Sequence, residues 1–280
     1  MMPKKKKILL INIVIFILVC FNLYYLYVIF NKKKKKEKFN NNNDINFLNS
    51  NDCKNFIIND DDDYVKKFNR YDLIARNVKS SDEYIEKTSK CFTDFTDKQK
   101  NVLRLSCKNA DKFFENYNIL INGKELLNIP WNLALSKYNN NYEYEEGLPH
   151  TRNNIIFLSE KIIPNEINSE IISLLIHEKI HIYQRYNKAK INKVIEKLGY
   201  KEIDNMYIDK IRSNPDLNNT IYIDKENNVS GCIYNSDNPN SITDANCINS
   251  DVKLEHPYEL MAYQIADLYK YNNMEIYKNI

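Results

Sequence analysis

Histidine is scarce here, at 4 residues in 280, so any cluster of imidazoles stands out against the background. Acidic side chains are nearly missing from the N-terminus: residues 1–38 hold one of the 37 Asp and Glu but 10 of the 40 Lys and Arg. The other 242 residues carry 30 basic against 36 acidic groups, and so lack the basic excess that a phosphate backbone demands. Nucleic acid is excluded as a partner on that ground. No small-x-small cleavage site follows the apolar run Ile8 to Phe30, which removes the usual mark of a cleaved signal peptide. Cysteine offers no even framework either. Of six, Cys20 lies within that run and five lie beyond it, so at least one of the five has no partner among them. Cys91 with Cys107, and Cys232 with Cys247, are spaced to close short loops in an oxidising compartment; free thiols are an equal reading.

What is present begins with that run. Its 23 residues are broken only by Asn12 and Asn22. As a helix they reach about 34 Å, enough for a hydrocarbon core of about 30 Å. Tyr24, Tyr25 and Tyr27 suit the aromatic belt at its end. The expectation is an uncleaved anchor and a single-pass membrane protein. After the lysines at 32–36 and 38, Phe39 to Asp63 is rich in Asn and Asp and reads as a tether. Tyr64 to Lys90 mixes polar and scattered apolar residues and reads as a helical subdomain.

Thr96 to Tyr117 is a firmer helix, with Thr96 as its cap and an apolar stripe from Val102 to Phe114. Asn118 to Lys124 reads as a strand ending in a turn at Asn122-Gly123, and Asn154 to Ser159 as another. A strand shortly before the next helix suits the edge of a substrate cleft. Asn165, Asn168 or Ser169 can cap that helix. A second helical stretch, Ile191 to Leu198, ends at Gly199. Thr220 to Ile223 and Cys232 to Tyr234 are short strand candidates in a loop-rich region. Glu255 to Tyr269 is helical, with Pro257 well placed at the first position.

The helix after Ser169 carries His177-Glu178-Lys179-Ile180-His181, an H-E-x-x-H pattern that uses half of the chain's histidines. Simple multiplication of residue frequencies puts a chance occurrence well under ~1 in 100. Positions i and i+4 share a helix face, so His177 and His181 can offer two nitrogens to one metal ion. Glu178 is turned to the side, where a carboxylate can take a proton from water. A catalytic zinc needs a third protein ligand. His150, His256 and Glu259 are the candidates, and Glu259 is favoured because Ala262 and Ala266 form a small-residue strip beside it that lets its helix pack closely. His256 is placed to cap that helix or hydrogen-bond a ligand. His150 is a candidate transition-state donor, and Asp267 a candidate partner for a ligand histidine. Lys179 stands where such motifs are normally uncharged, so it must reach solvent or find a partner.

His177, Glu178 and His181, with Glu259 on a later P-x-E-x-x-A helix, resemble the gluzincin branch of the zincin metallopeptidases. The G-L-P-H-T stretch and the Asn- and Lys-rich composition are similar to zincin-like proteins of large DNA viruses and AT-rich protists. The resemblance implies an α+β, zincin-like fold, mainly helical with a small sheet beside the H-E-x-x-H helix, here preceded by one transmembrane helix. It implies one catalytic Zn2+ on His177, His181 and Glu259, Glu178 as general base, and a peptide or protein substrate. The expected divisions are a basic flank at 1–7, an anchor at 8–30, a tether at 31–63, a helical subdomain at 64–90 and the metallopeptidase domain at 91–280. The alternative is a catalytically inactive membrane display or interaction protein, with a structural zinc or none.

Overall fold

A computed structural model describes residues 45–203, 210–217, 221–248 and 256–271. The first strand, β1 (Ile45–Phe47), runs parallel to β3 (Trp131–Ser136), which runs parallel to β5 (Ile155–Ser159). Two strands add antiparallel: β2 (Phe92–Thr93) on the end of β3, and β4 (His150–Arg152) on β5. This five-stranded sheet has the order β1-β3-β5-β4. A second, antiparallel sheet has the order β6 (Lys201–Ile203), β7 (Ile221–Ile223), β8 (Val229–Tyr234), β9 (Ala245–Ile248).

Helices cover both faces of the first sheet. On one side lie α1 (Ser50–Asn59) and α3 (Ser81–Thr88), with Ile57 and Tyr84 meeting Ala134 and Phe157, while Tyr71 and Ala75 of α2 (Arg70–Ala75) are buried with Tyr234 and Ile242. On the other, α4 (Asp97–Asn116) and α6 (Ser169–Tyr186) pack with α8 (Pro257–Tyr271) over Leu133, Leu135, Ile156 and Leu158. Adjacent residues of β3 and β5 therefore enter two different cores. Short α5 (Gly123–Leu126) and α7 (Lys188–Lys197) complete the set.

The caps follow local chemistry. Thr96 and Gln99 form a reciprocal capping box on α4. Asn168 accepts from Ile171 N at the start of α6. Gly199, at φ +95°, ends α7 in the left-handed region that favours glycine.

Several expectations need correcting. The chain is a mixed α/β protein with two sheets, not a mainly helical zincin-like fold with one small sheet. The run Ile8 to Phe30 lies outside the described residues. No helix among the described residues is long and apolar enough to cross a membrane. Even α6, at 18 residues, carries Glu170, Glu178, Lys179 and Arg185. The single-pass membrane assignment is corrected on that finding. Residues 45–59, read as tether, form β1 and α1, and Cys53 and Ile57 of α1 are fully buried. Residues 64–90, read as a separate subdomain, belong to the same compact unit as the rest of 43–280, with α3 on the sheet that β3 centres and α2 buried against Tyr234 and Ile242. Asn118 to Lys124 is not a strand. Gly123 N donates to Tyr117 O at 2.9 Å, and Asn122 caps α5 instead.

Cys53, Cys91 and Cys107 are free and buried, which removes the Cys91–Cys107 pair. Cys232 is disulfide-bonded, and its register partner across the β8–β9 ladder is Cys247. Burial pushes the Cys53 thiol up to about 12 and the Cys91 thiol up to about 11. Native protein at pH 8 is expected to leave Cys53, Cys91 and Cys107 unmodified by iodoacetamide, with all three alkylated after denaturation. Peptide mapping reads the result, and rapid native labelling of any of the three contradicts it.

Candidate metal centre

The H-E-x-x-H helix α6 lies between the sheet and α8, and it is buried from Leu175 through Gln184. Its apolar residues face the core while the histidine face meets the start of α8. There Ala262 and Ala266 are buried at the contact, and Ser173 Oγ donates to Ala266 O at 3.2 Å. The small-residue strip thus lets two backbones approach and brings Glu259 over the histidines.

His177 Nε2 and His181 Nε2 are 2.9 Å apart, and Glu259 Oε2 is 3.2 Å from the first and 3.4 Å from the second. These three residues are the cluster of metal-ligating type found among the described residues. Tetrahedral zinc with bonds of about 2.0–2.1 Å sets its donors about 3.3 Å apart, so the triangle fits three corners of such an ion. The donor chemistry agrees: two imidazole nitrogens facing each other leave a buried lone-pair cluster that one cation satisfies.

Electrostatics point the same way. Burial opposes charge on His181, yet the Glu259 and Asp216 carboxylates raise it to about 10. Burial likewise opposes the Glu259 anion, and the two histidines nonetheless hold it well below the usual carboxylate range. The cluster is built around a positive charge.

The other candidate residues fall at different places around it. Glu178 is buried beside the cluster, and its Oε2 has no hydrogen-bond partner among the described residues. Burial, then the Asp216 carboxylate, lifts it well above the ordinary carboxyl value. His256 stays out of the triangle and caps α8, its Nδ1 accepting from Tyr258 N at 3.1 Å. The partner that holds a ligand is Gln184, not Asp267. Its Oε1 is 2.9 Å from His181 Nδ1, and its Nε2 donates to Tyr258 O at 3.0 Å, tying α6 to α8. Gln184 comes three residues after His181, and that helical-face spacing is a signal the sequence does carry.

His150 lines the same cavity of about 460 Å³ as His177, Glu178 and Glu259. Its Nδ1 lies 2.8 Å from Leu148 O, which can only accept, so Nδ1 carries the hydrogen. Burial lowers the ring's pKa, so the buried Nε2, which has no hydrogen-bond partner among the described residues, bears a lone pair. In this state His150 offers an acceptor, not the donor the sequence suggested. The loop before it is pinned: Glu145, at φ +44°, accepts from Arg76 Nε at 3.0 Å and Nη2 at 2.7 Å, and from Tyr84.

Two wall residues, Tyr263 and Asp216, and one residue behind the wall, Arg185, escaped the sequence reading. Tyr263 sets its ring 4.3 Å from that of His177. Asp216 lies in a loop far along the chain. Arg185, on α6, holds that loop through Pro215 O at 3.0 Å. The strand expected to border the cleft, β5, is interior between β3 and β4, so β4 is the edge.

No family model matches this chain, and neither a curated protein nor a solved structure is significantly similar to it.

Proposed function

We propose that this protein is a zinc-dependent metallopeptidase that hydrolyses peptide bonds. The observation that carries the reading is the His177, His181 and Glu259 triangle, with Glu178 buried beside it and open to a cavity. The ligand set is that of the gluzincin resemblance, and it is reached here by packing rather than by motif alone.

Bound zinc supplies Lewis acidity and makes water acidic near neutral pH. The rest falls to the chain. His177, His181 and Glu259 would hold the ion, beside the cavity that His177 and Glu259 line. Glu178 takes a proton as water oxygen attacks the scissile carbonyl carbon. It returns that proton to the nitrogen as the carbon–nitrogen bond breaks. Its raised proton affinity suits a base that must accept and then hold a proton. Gln184 fixes the His181 ring during both steps.

The alternative, a non-catalytic module with a structural zinc, needs a closed site of four protein ligands. His256 is committed to capping α8, and His150 is not part of the triangle. That favours the open, catalytic arrangement. The test is hydrolysis of a mixed peptide pool. Full-length protein is expected to cleave it, to stop when the metal is chelated, and to recover with about one equivalent of zinc. Cleavage unaffected by chelation contradicts the proposal.

A further inference from the structure

β4 is three residues long and forms the sheet's edge beside the cavity. An extended peptide that bound there as an added strand would pair with the edge's outward N–H and C=O groups. Outward and inward residues alternate along an antiparallel strand. Thr151 is the outward one, and both of its backbone groups are already taken. Its N–H donates to Asp216 Oδ1 at 2.5 Å, and its Oγ1 donates to the same oxygen at 2.8 Å. Its carbonyl accepts from Arg185 Nη2 at 3.3 Å.

The segment that does this is a short strap, Ser213 to Asp216, fastened at both ends. Ser213 N and Oγ donate to Asp72 at 2.9 and 2.8 Å. Arg185 holds Pro215 O, and Asp216 N donates to Asn214 Oδ1 at 2.9 Å. Between them, Asn214 Nδ2 reaches Glu259 Oε1 at 3.4 Å. The strap therefore runs from the metal centre to the sheet edge and covers the ground a bound strand would use.

Resting on the metallopeptidase reading above, we infer that the site takes short peptides or chain ends rather than the middle of an extended chain. The cavity of about 460 Å³ holds a ligand the size of a small drug, and the capped edge offers nothing to a longer backbone.

The experiment measures affinities of hydroxamate-capped peptides of about one to five residues for zinc-loaded full-length protein by calorimetry. On an open edge, each added residue brings main-chain hydrogen bonds worth about threefold to tenfold in affinity. The expected result is a gain to the second residue and then a plateau. A steady gain through the longest probe overturns the inference and leaves the metal centre intact. Asp216→Ala uncaps the Thr151 N–H while Arg185 still holds the Thr151 carbonyl, and is expected to restore one hydrogen bond, read as a single further gain of about threefold to tenfold beyond the second residue. A plateau unchanged in that variant overturns the strap's assigned role. If zinc-loaded protein binds none of the probes, the metallopeptidase reading fails and the inference with it.

Discussion

Glu178→Gln is expected to keep its zinc and lose peptide hydrolysis by about 10²- to 10⁴-fold, the span typical of a missing general base. The reasoning is geometric. Glu178 contributes no atom to the triangle of His177, His181 and Glu259, so amidation leaves the ligands in place. The side chain is 2 % exposed, and glutamine preserves its volume. The carboxylate becomes an amide that cannot accept and return a proton. Kinetic analysis with metal content measured on the same preparation separates the two effects. Full activity in the variant contradicts the mechanism, and loss of zinc contradicts the placement of Glu178 beside the metal rather than on it.

The second large effect lies on the opposite face of the same helix. Lys179 is 1 % exposed. Its Nζ lies 2.9 Å from Asp111 Oδ1 and 3.9 Å from the centre of the Trp131 ring. Trp131 Nε1 in turn donates to both Asp111 oxygens, at 3.2 and 3.1 Å. This trio from α6, α4 and β3 accounts for the residue that breaks the motif's usual pattern. Burial disfavours the ammonium and lowers its pKa, while the Asp111 carboxylate opposes that fall. Removing one charge strands the other. Asp111→Ala and Lys179→Ala are each expected to destabilise the fold by about 3–5 kcal/mol. Replacing both with apolar residues of similar size, Lys179→Met with Asp111→Leu, is expected to cost less than either single change, because no buried charge is left alone. Urea denaturation of the three variants checks the ordering. A double variant as unstable as the two single losses added together would show that the two charges do not act as a pair, and would contradict this reading.

The His177, His181 and Glu259 cluster was legible from the sequence because each of its two helices carries a local signal. His177 and His181 are one turn apart, and Asn168 and Pro257 mark the starts of the two helices that meet. What joins them needed only small residues at 262 and 266. The sheet was harder to read. β1 and β3 are parallel, with helices on both faces, so they carry no alternation of polar and apolar residues. Ile155 to Leu158 is a continuous apolar run that marks its strand, whereas Asn132 and Ala134 interrupt Trp131 to Ser136 and hide its strand. Residues 45–59 looked too polar for a core, yet Cys53 and Ile57 are fully buried and Phe56 packs beside them on Phe157. Partners distant in the chain left no sequence signal at all. Asp111 lies 68 residues before Lys179, and Asp216 lies 65 after Thr151. Their roles come from the fold, not from spacing.

The most direct test of the central claim is the zinc content of the full-length protein beside its Glu259→Ala variant, measured by mass spectrometry after dialysis. The geometry predicts about one zinc per wild-type chain and a much weakened, readily dialysed ion in the variant, since one of three ligands is gone. A folded wild-type chain that retains no zinc would contradict the account and leave the His177, His181 and Glu259 triangle as a charge cluster without a metal.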